Sequence, residues 1–527
     1  MSRRRVRLAP LALIVALLLA GFALRARHIT ALPLYQDETY HLRRAQAVYR
    51  FDANPVAYAH GKLLLYYWIG LFRPAYTEAG LATARLGVAL AGLLAAAGSA
   101  ALARALFGGR SGEWAGALAV GLLAFAPYAL FYDRLALSDT LAAALSALAG
   151  WWTVVTARRP TPWRGIALGG LLALALLAKL STAPLLALPP LAGLLLGDGA
   201  SPRDRWMRLR PALAPAAAIV LAVAALYALG ALENALAGRP QEPYDPELFE
   251  LTRGVDGFVE NLRLAWAAFA VFLSPALALA LLALAGVAAA RRRRPALYLL
   301  AWLAILTLPF IAFAVTLQTR YFVPVLPVLA ALFGGGAIAL GGARRGAVIG
   351  GALLAIWMIA FALPVARTLL DNPASLRLTA IDRRNFLRYS SNAWGAREAL
   401  ADLAAQGERL DGRVPLVGAM HYCTLPDLYV TAAFDWRCMD ARVSFLPQTR
   451  MPDSVYAWPA LIEAVQRRPF TYLLTDYLPP GSDPADDALA WDLVAAYPRP
   501  QGDLWVTVWR VHLIDADALA ERVAGSD

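Results

Sequence analysis

Lysine is almost missing from this 527-residue chain: of 49 basic residues only Lys62 and Lys179 are lysines, and the rest are arginines. Cysteine is equally scarce, with Cys423 and Cys438 the only two. That excludes a disulfide-rich secreted scaffold, and the pair forms no metal-ligand spacing. Charged residues make up only 16% of the chain against 59% hydrophobic ones, and the mean hydropathy is +0.52. A composition this apolar excludes an ordinary soluble protein of the same length. No internal repeat or low-complexity tract stands out beyond general Ala/Leu richness.

What is present is a series of apolar blocks, each about 15 to 29 residues long, which is the length a helix needs to cross about 30 Å of hydrocarbon. They predict spans over 8–24, 79–107, 114–132, 137–157, 165–178, 183–197, 211–232, 264–290, 296–315, 322–342 and 346–366. The net charge of +12 sits mainly in the breaks between these blocks rather than among aromatic residues on one soluble face, which argues against nucleic acid. With the N terminus inside, the breaks on the cytoplasmic side hold nineteen arginines (at 3–7, 104–110, 158–164, 203–210, 291–294 and 344–345). The short outer turns hold three basic residues, Arg134, Lys179 and Arg320. This asymmetry is the positive-inside rule. It also favours a hairpin over a single crossing for 165–197, because one crossing would place an arginine cluster outside. The basic start and apolar core of residues 1–25 fit a cleaved signal peptide as well, but "GFALRAR" lacks a small-x-small site and a retained anchor is the reading taken.

The first domain is thus residues 1–367, including an outer loop at 25–78. A further loop from Glu233 to Arg263 and the residues from 368 onward also lie outside. The second domain, 368–527, changes character. Short apolar runs, "VPLVGA", "LYVTAAF", "TYLLTD" and "LWVTVWRVHL", read as strands. Between them the amphipathic segments "AREALADLAAQ", "PALIEAVQRR" and "DALAWDLVAAY" complete a small extracytoplasmic α/β domain. For Cys423 and Cys438 a disulfide and two separate thiols both remain open.

Four clusters on the outer side carry the chemistry. The first is "YQDETYHLRRA", where on a helix Asp37, Glu38, His41 and Arg44 share reach. His28, His41 and His60, three of five histidines, fall in this loop beside Tyr66 and its aromatic neighbours. A solvated interfacial helix is the plain alternative. The second is the pair of lysines, Lys62 in "AHGKLLLYYW" and Lys179 in "LAKLSTAPLL", compact point charges suited to phosphate where snorkelling would be the plain alternative. "YDRLALSDT" adds Arg134 and Asp139, either a structural ion pair or a cavity-facing couple. "QTRYFVPVLPVLA" adds Arg320 and Tyr321. Acids and cations on one face describe a site able to deprotonate a hydroxyl and hold a phosphate.

"DETYHLRRA", "GKLLLYYWIG", "DRLALSDT", "LAKLSTAPLL" and "RYFVPVLPVLA", in that order, resemble the pattern of the GT-C polyprenyl-phosphate-sugar-dependent glycosyltransferases. Bacterial relatives of protein O-mannosyltransferases and the lipid A aminoarabinose transferases are the members most similar. The resemblance covers roughly residues 1–370. It implies an inverting transfer from a polyprenyl-phosphate donor to a protein, lipid or glycan acceptor at the outer face of the inner (plasma) membrane. Asp37 would be the general base, with Glu38 beside it and Asp139 the second acid. Lys62, Arg134, Lys179 and Arg320 would hold the donor phosphate, and His41, His60, Tyr66 and Tyr321 would line the substrate site. The loop has "HGKLLLYY" where many relatives have consecutive prolines. The only Asp-x-Asp, Asp515 to Asp517, lies in the tail, which favours a lipid-linked donor over a nucleotide sugar. This reading commits to no cofactor and leaves a divalent metal open, since Asp37, Glu38, His41 and His60 could supply ligands but form no diagnostic spacing. A transporter or flippase would place its charges near the bilayer midplane between repeats. A non-catalytic scaffold would leave the clustered acids and bases unexplained.

Overall fold

The computed structural model describes residues 2–49, 61–237, 254–440, 455–482, 484 and 487–525. They divide into two compact units. One comprises 1–29, 41–75 and 82–372, and the other 30–40, 76–81 and 373–527. Two pieces of the early chain are counted with the C-terminal part. One boundary falls inside the helix Gln36–Ala47, after Tyr40.

The first unit is helical, and its apolar blocks are helices with breaks where the sequence supplies them. Six helices among the described residues are long and apolar enough to cross a membrane, and the shorter apolar helices Pro162–Ala178 and Leu180–Leu196 form the two halves expected for 165–197. Lys179 is the break between them, in extended backbone (φ −164°, ψ 121°). Two single spans are each divided at a proline, which disfavours helical geometry in the residue before it. The 114–132 block is Gly109–Phe125 and Pro127–Tyr132 joined through an extended Ala126. The expected span 264–290 is instead two helices, Gly254–Leu273 and Pro275–Arg291, the pair bent by 105° at Ser274. Residues 326–357 run on through a turn at Gly342, whose φ of +72° only glycine adopts without strain. There the chain reverses, since a methyl on Gly350 would lie 2.8 Å from Ala337 Cβ. This is the hairpin expected between 322–342 and 346–366.

Helices in hydrocarbon gain nothing from burying apolar surface against one another, so close backbone approach through small residues holds them together. Gly165 and Gly169, one turn apart, face the carbonyls of Ala212 and Ala216, where a methyl would come within 2.0 and 2.7 Å. At Gly150 the neighbour is the ring of the fully buried Trp302, 1.8 Å from where a methyl would sit. The adjoining Tyr298 hydroxyl donates to the Gly150 carbonyl (3.3 Å).

The second unit is built on a five-stranded sheet, β1 (Val414–Met420), β2 (Phe434–Asp440), β3 (Thr471–Thr475), β4 (Leu489–Pro498) and β5 (Trp505–Leu513), in the order β2-β1-β3-β5-β4. β1 pairs parallel with β2 and β3, while β5 pairs antiparallel with β3 and β4. Helix Ala396–Gln406 buries Leu400 and Leu403 with Leu416, Leu474 and Val508 in one core cluster, and helix Pro459–Arg467 buries Leu461 and Val465 with Val417, Leu473 and Val511 in another. Two sequence readings are corrected. "LYVTAAF" is mostly turn, the strand beginning at its last residue, Phe434. "DALAWDLVAAY" is not a helix: from Leu489 it is strand β4, paired along its length with β5 and carrying a register shift between Leu493 and Ala495. Cross-strand pairing and the burial of Trp491 override its helix-like pattern. Cys423 and Cys438 are joined by a disulfide with a Cα–Cα distance of 5.7 Å, which ties the segment after β1 to β2.

Replacing Gly150 by alanine is expected to lower stability by about 1–3 kcal/mol, because the added methyl would fall on the ring of the fully buried Trp302. A fall in the thermal unfolding midpoint of the detergent-solubilised protein checks it, and an unchanged midpoint would show that the two helices separate freely.

Candidate active site

The two lysines meet through their backbones. Leu180, the residue after Lys179, donates its N–H to the carbonyl of Gly61, the residue before Lys62 (3.2 Å), and the Gly61 N–H donates to the Tyr227 hydroxyl (3.2 Å). Gly61 has φ +64°, and a Cβ there would lie 2.5 Å from Leu180 Cγ, so both the conformation and the contact require glycine. Two positions 117 apart in sequence are thereby held side by side in the helical unit.

Each ammonium then has its own support. Lys179 is ion-paired with Asp139, and their side chains are 12% and 2% exposed. Asp139 lies in the first turn of helix Ser138–Arg158, where the unpaired N–H groups favour a carboxylate. On another side the Lys179 ammonium is 4.9 Å from the centre of the Tyr321 ring, a cation–π distance, and that ring stacks on Phe310 at 5.0 Å. Lys62 Nζ stands 3.4 Å from His41 Nε2. The other ring nitrogen, Nδ1, is 2.6 Å from the Ala136 carbonyl, which only accepts, so Nδ1 carries the proton and Nε2 presents a lone pair to the ammonium. Tyr66, fully buried, lies 5.9 Å from the His41 ring, and its hydroxyl accepts from Arg44 Nη1 at 3.1 Å. Arg320 and Tyr321 are adjacent in the turn Thr319–Val325.

Arg134 belongs to a neighbouring buried group. Its Nη2 donates to the His28 carbonyl, while Nε and Nη1 have no hydrogen-bond partner among the described residues. Next to it in sequence, Asp133 accepts from Arg25 Nε (2.8 Å) and from the Thr140 hydroxyl (2.8 Å). Arg25, 1% exposed, also donates to the carbonyls of Gly21, Leu123 and Ala124. Sequence reasoning missed Arg25 and Asp133. Their signal was the "YDR" doublet and a charge at the end of an apolar run, which read as a span boundary.

Asp37 and Glu38 are carried by the other unit. Glu38 is fully buried and its carboxylate accepts the Tyr35 N–H (3.0 Å), closing the first turn of helix Gln36–Ala47. The turn is fixed from outside as well: Gln36 donates to the Ser391 carbonyl (2.8 Å), Ala393 donates to the Leu34 carbonyl (3.0 Å), and the Tyr35 ring lies 4.6 Å from Phe386. The acid that follows the first span is thus held by residues 386–393. Nothing in the sequence announced that link. His60 lies outside the described residues, and among those described no three His, Cys, Asp or Glu side chains gather to hold a metal.

No family model and no curated protein matches the chain. Among solved structures it is similar to ArnT from Cupriavidus metallidurans bound to undecaprenyl phosphate, with 17% identity and a TM-score of 0.59, covering 95% of this chain and 97% of that one. The apo state of the same protein matches with 17% identity, a TM-score of 0.57 and the same coverage. The chain therefore has the GT-C fold of a multi-pass membrane protein over nearly its whole length, C-terminal α/β region included.

Asp139→Ala strands the nearly buried Lys179 charge and is expected to cost about 3–5 kcal/mol, with Lys179→Met in the same chain recovering most of it. Thermal unfolding of the single and double variants measures this, and no recovery in the double variant would show that the pair is not the source of the loss.

Proposed function

We propose that this protein is a membrane glycosyltransferase that moves a sugar from a polyprenyl-phosphate donor to an acceptor with inversion. The observation that carries the reading is the junction of the two lysines through Gly61 and Leu180. It sets two ammonium groups on adjacent backbone, each oriented by a buried partner, in a chain that otherwise uses arginine throughout. Two compact cations are what a phosphate leaving group needs as its charge develops. The ArnT structure of the same fold is bound to undecaprenyl phosphate, which supports a lipid phosphate as the ligand.

In this reading Lys62 and Lys179 take the donor phosphate, with Arg320 and Arg134 contributing positive charge. His41 accepts from the Lys62 ammonium and keeps it aimed. Asp139 neutralises Lys179 in the free protein and so sets how readily that lysine turns to phosphate. Asp37 is the general base that takes the proton from the acceptor hydroxyl as it attacks the anomeric carbon. Glu38 fixes the turn on which Asp37 stands. Tyr66, Tyr321 and His60 line the substrate site. Attack from the face opposite the leaving phosphate inverts the anomeric centre. The site and the C-terminal domain lie on the extracytoplasmic side of the inner membrane, a placement supported by the arginine asymmetry and by a disulfide suited to an oxidising compartment.

Asp37→Asn is expected to reduce sugar transfer by about 10²–10⁴-fold while leaving folding intact. Transfer from radiolabelled polyprenyl-phosphate sugars, assayed beside a thermal unfolding curve, tests it, and full activity in this variant would place the base elsewhere. Replacing Lys62 and Lys179 together by methionine is expected to weaken polyprenyl-phosphate binding at least tenfold, about 1.4 kcal/mol. An unchanged affinity measured by titration calorimetry would remove the lysines from the donor site.

A further inference from the structure

The sheet unit holds a second organised cluster that the transfer chemistry does not use. From β1 the chain passes through Thr424–Asp427 to β2 on one side, and from β2 through helix Pro459–Arg467 to β3 on the other side of β1. β1 and β3 therefore flank the point where the strand order reverses. In sheets wound this way, the crevice beyond the carboxyl ends of those two strands is where ligands bind. His421 follows β1 directly and Asp476 follows β3 directly.

The two residues are joined. Asp476 Oδ1 accepts both the backbone N–H of His421 (3.1 Å) and its ring Nδ1–H (3.1 Å), with the Asp476 side chain only 3% exposed. On its other oxygen Asp476 takes Arg499 Nη2 (3.4 Å). Arg499 has no exposed side-chain surface and donates through Nη1 to the carbonyls of Tyr389 (3.1 Å) and Asn392 (2.7 Å) and to Asn392 Oδ1 (3.1 Å). The arginine contacts explain how the chain at 389–392 is tethered. They do not involve the imidazole, which adds a second bond to Asp476 beside that of the backbone N–H. What the arrangement does is orient the ring: Nδ1 donates to the carboxylate, and Nε2 is left with no partner among the described residues. The ring is 32% exposed, with one face covered by Tyr477, stacked at 4.4 Å and 9°.

The ligand class follows from the donor set. An unprotonated imidazole nitrogen takes an O–H or N–H; the Arg499 guanidinium is buried and committed to Asp476, and that of Arg384 lies over the Tyr389 ring at 5.0 Å. A metal would need further ligands, and none gather here among the described residues. Aromatic surface is close, with the half-buried Tyr389 ring 6.4 Å from the imidazole. We propose that the carboxyl ends of β1 and β3 form a saccharide-binding site, in which His421 Nε2 accepts a hydrogen bond from a hydroxyl of a neutral sugar whose C–H face packs on the Tyr389 ring. The site is read without turnover, so it stands or falls independently of the transfer reaction.

Carbethoxylation of unprotonated histidine by diethyl pyrocarbonate, read by peptide mass spectrometry on the full-length protein in nanodiscs, tests it. The probes are cellobiose, maltose, lactose and chitobiose, with inorganic phosphate and zinc chloride as separate arms. At least one disaccharide is expected to slow modification of His421 several-fold, while His28, 57% exposed, reacts at an unchanged rate. Saturation-transfer NMR with the same sugar should show contact in the wild type that His421→Ala removes and His421→Gln partly restores. Protection by phosphate or zinc alone, no protection by any disaccharide, or a signal untouched in His421→Ala would overturn the proposal. The labelling arm uses only wild-type protein and decides the matter if a variant fails to fold.

Discussion

A charge placed inside an apolar helical unit must find its counterpart within the chain, because neither lipid nor water is there to supply one. That constraint governs the helical unit. Lys179 sits against Asp139 and the Tyr321 ring, Lys62 against a histidine whose tautomer a backbone carbonyl fixes, and Arg25 against Asp133 and three carbonyls. The same partners that make these cations tolerable also aim them. A lysine on a flexible four-carbon stem has many rotamers, and partners of this kind hold it to few.

Positioning depends on backbone more than on side chains. The lysines are neighbours because a glycine with positive φ lets the chain at 61 lie against the chain at 180. Close approach of this kind recurs through the unit, with Gly165 and Gly169 against Ala212 and Ala216 and Gly150 against Trp302. Small residues that would be weak helix formers in water are, in a bilayer, what lets helices touch. The sheet unit works differently. Its cores are built from alternating strand residues under amphipathic helices, and its residues 386–393 hold the turn that carries Asp37 and Glu38.

Much of this was legible from the residues, for identifiable reasons. Apolar block length and arginine placement mark the spans because hydrocarbon thickness and insertion chemistry act on local sequence. Prolines told of breaks, yet 264–290 still reads as one span: a Ser-Pro step in an apolar block does not say whether the helix kinks or turns by 105°. The segment at 487–497 reads as a helix because its alanines and leucines carry no β preference of their own, and its strand exists only because β5 is there to pair with it.

The sequence by itself determined a multi-pass membrane chain with a C-terminal α/β part, since hydrophobic run length and residue periodicity are local properties. Only the tertiary structure decided who meets whom. That Asp139 pairs with Lys179, that Gly61 docks on Leu180, that Cys423 bonds Cys438 and that His421 bonds Asp476 are all contacts between segments distant along the chain. They are fixed by strand order and helix packing, which no short window of residues encodes.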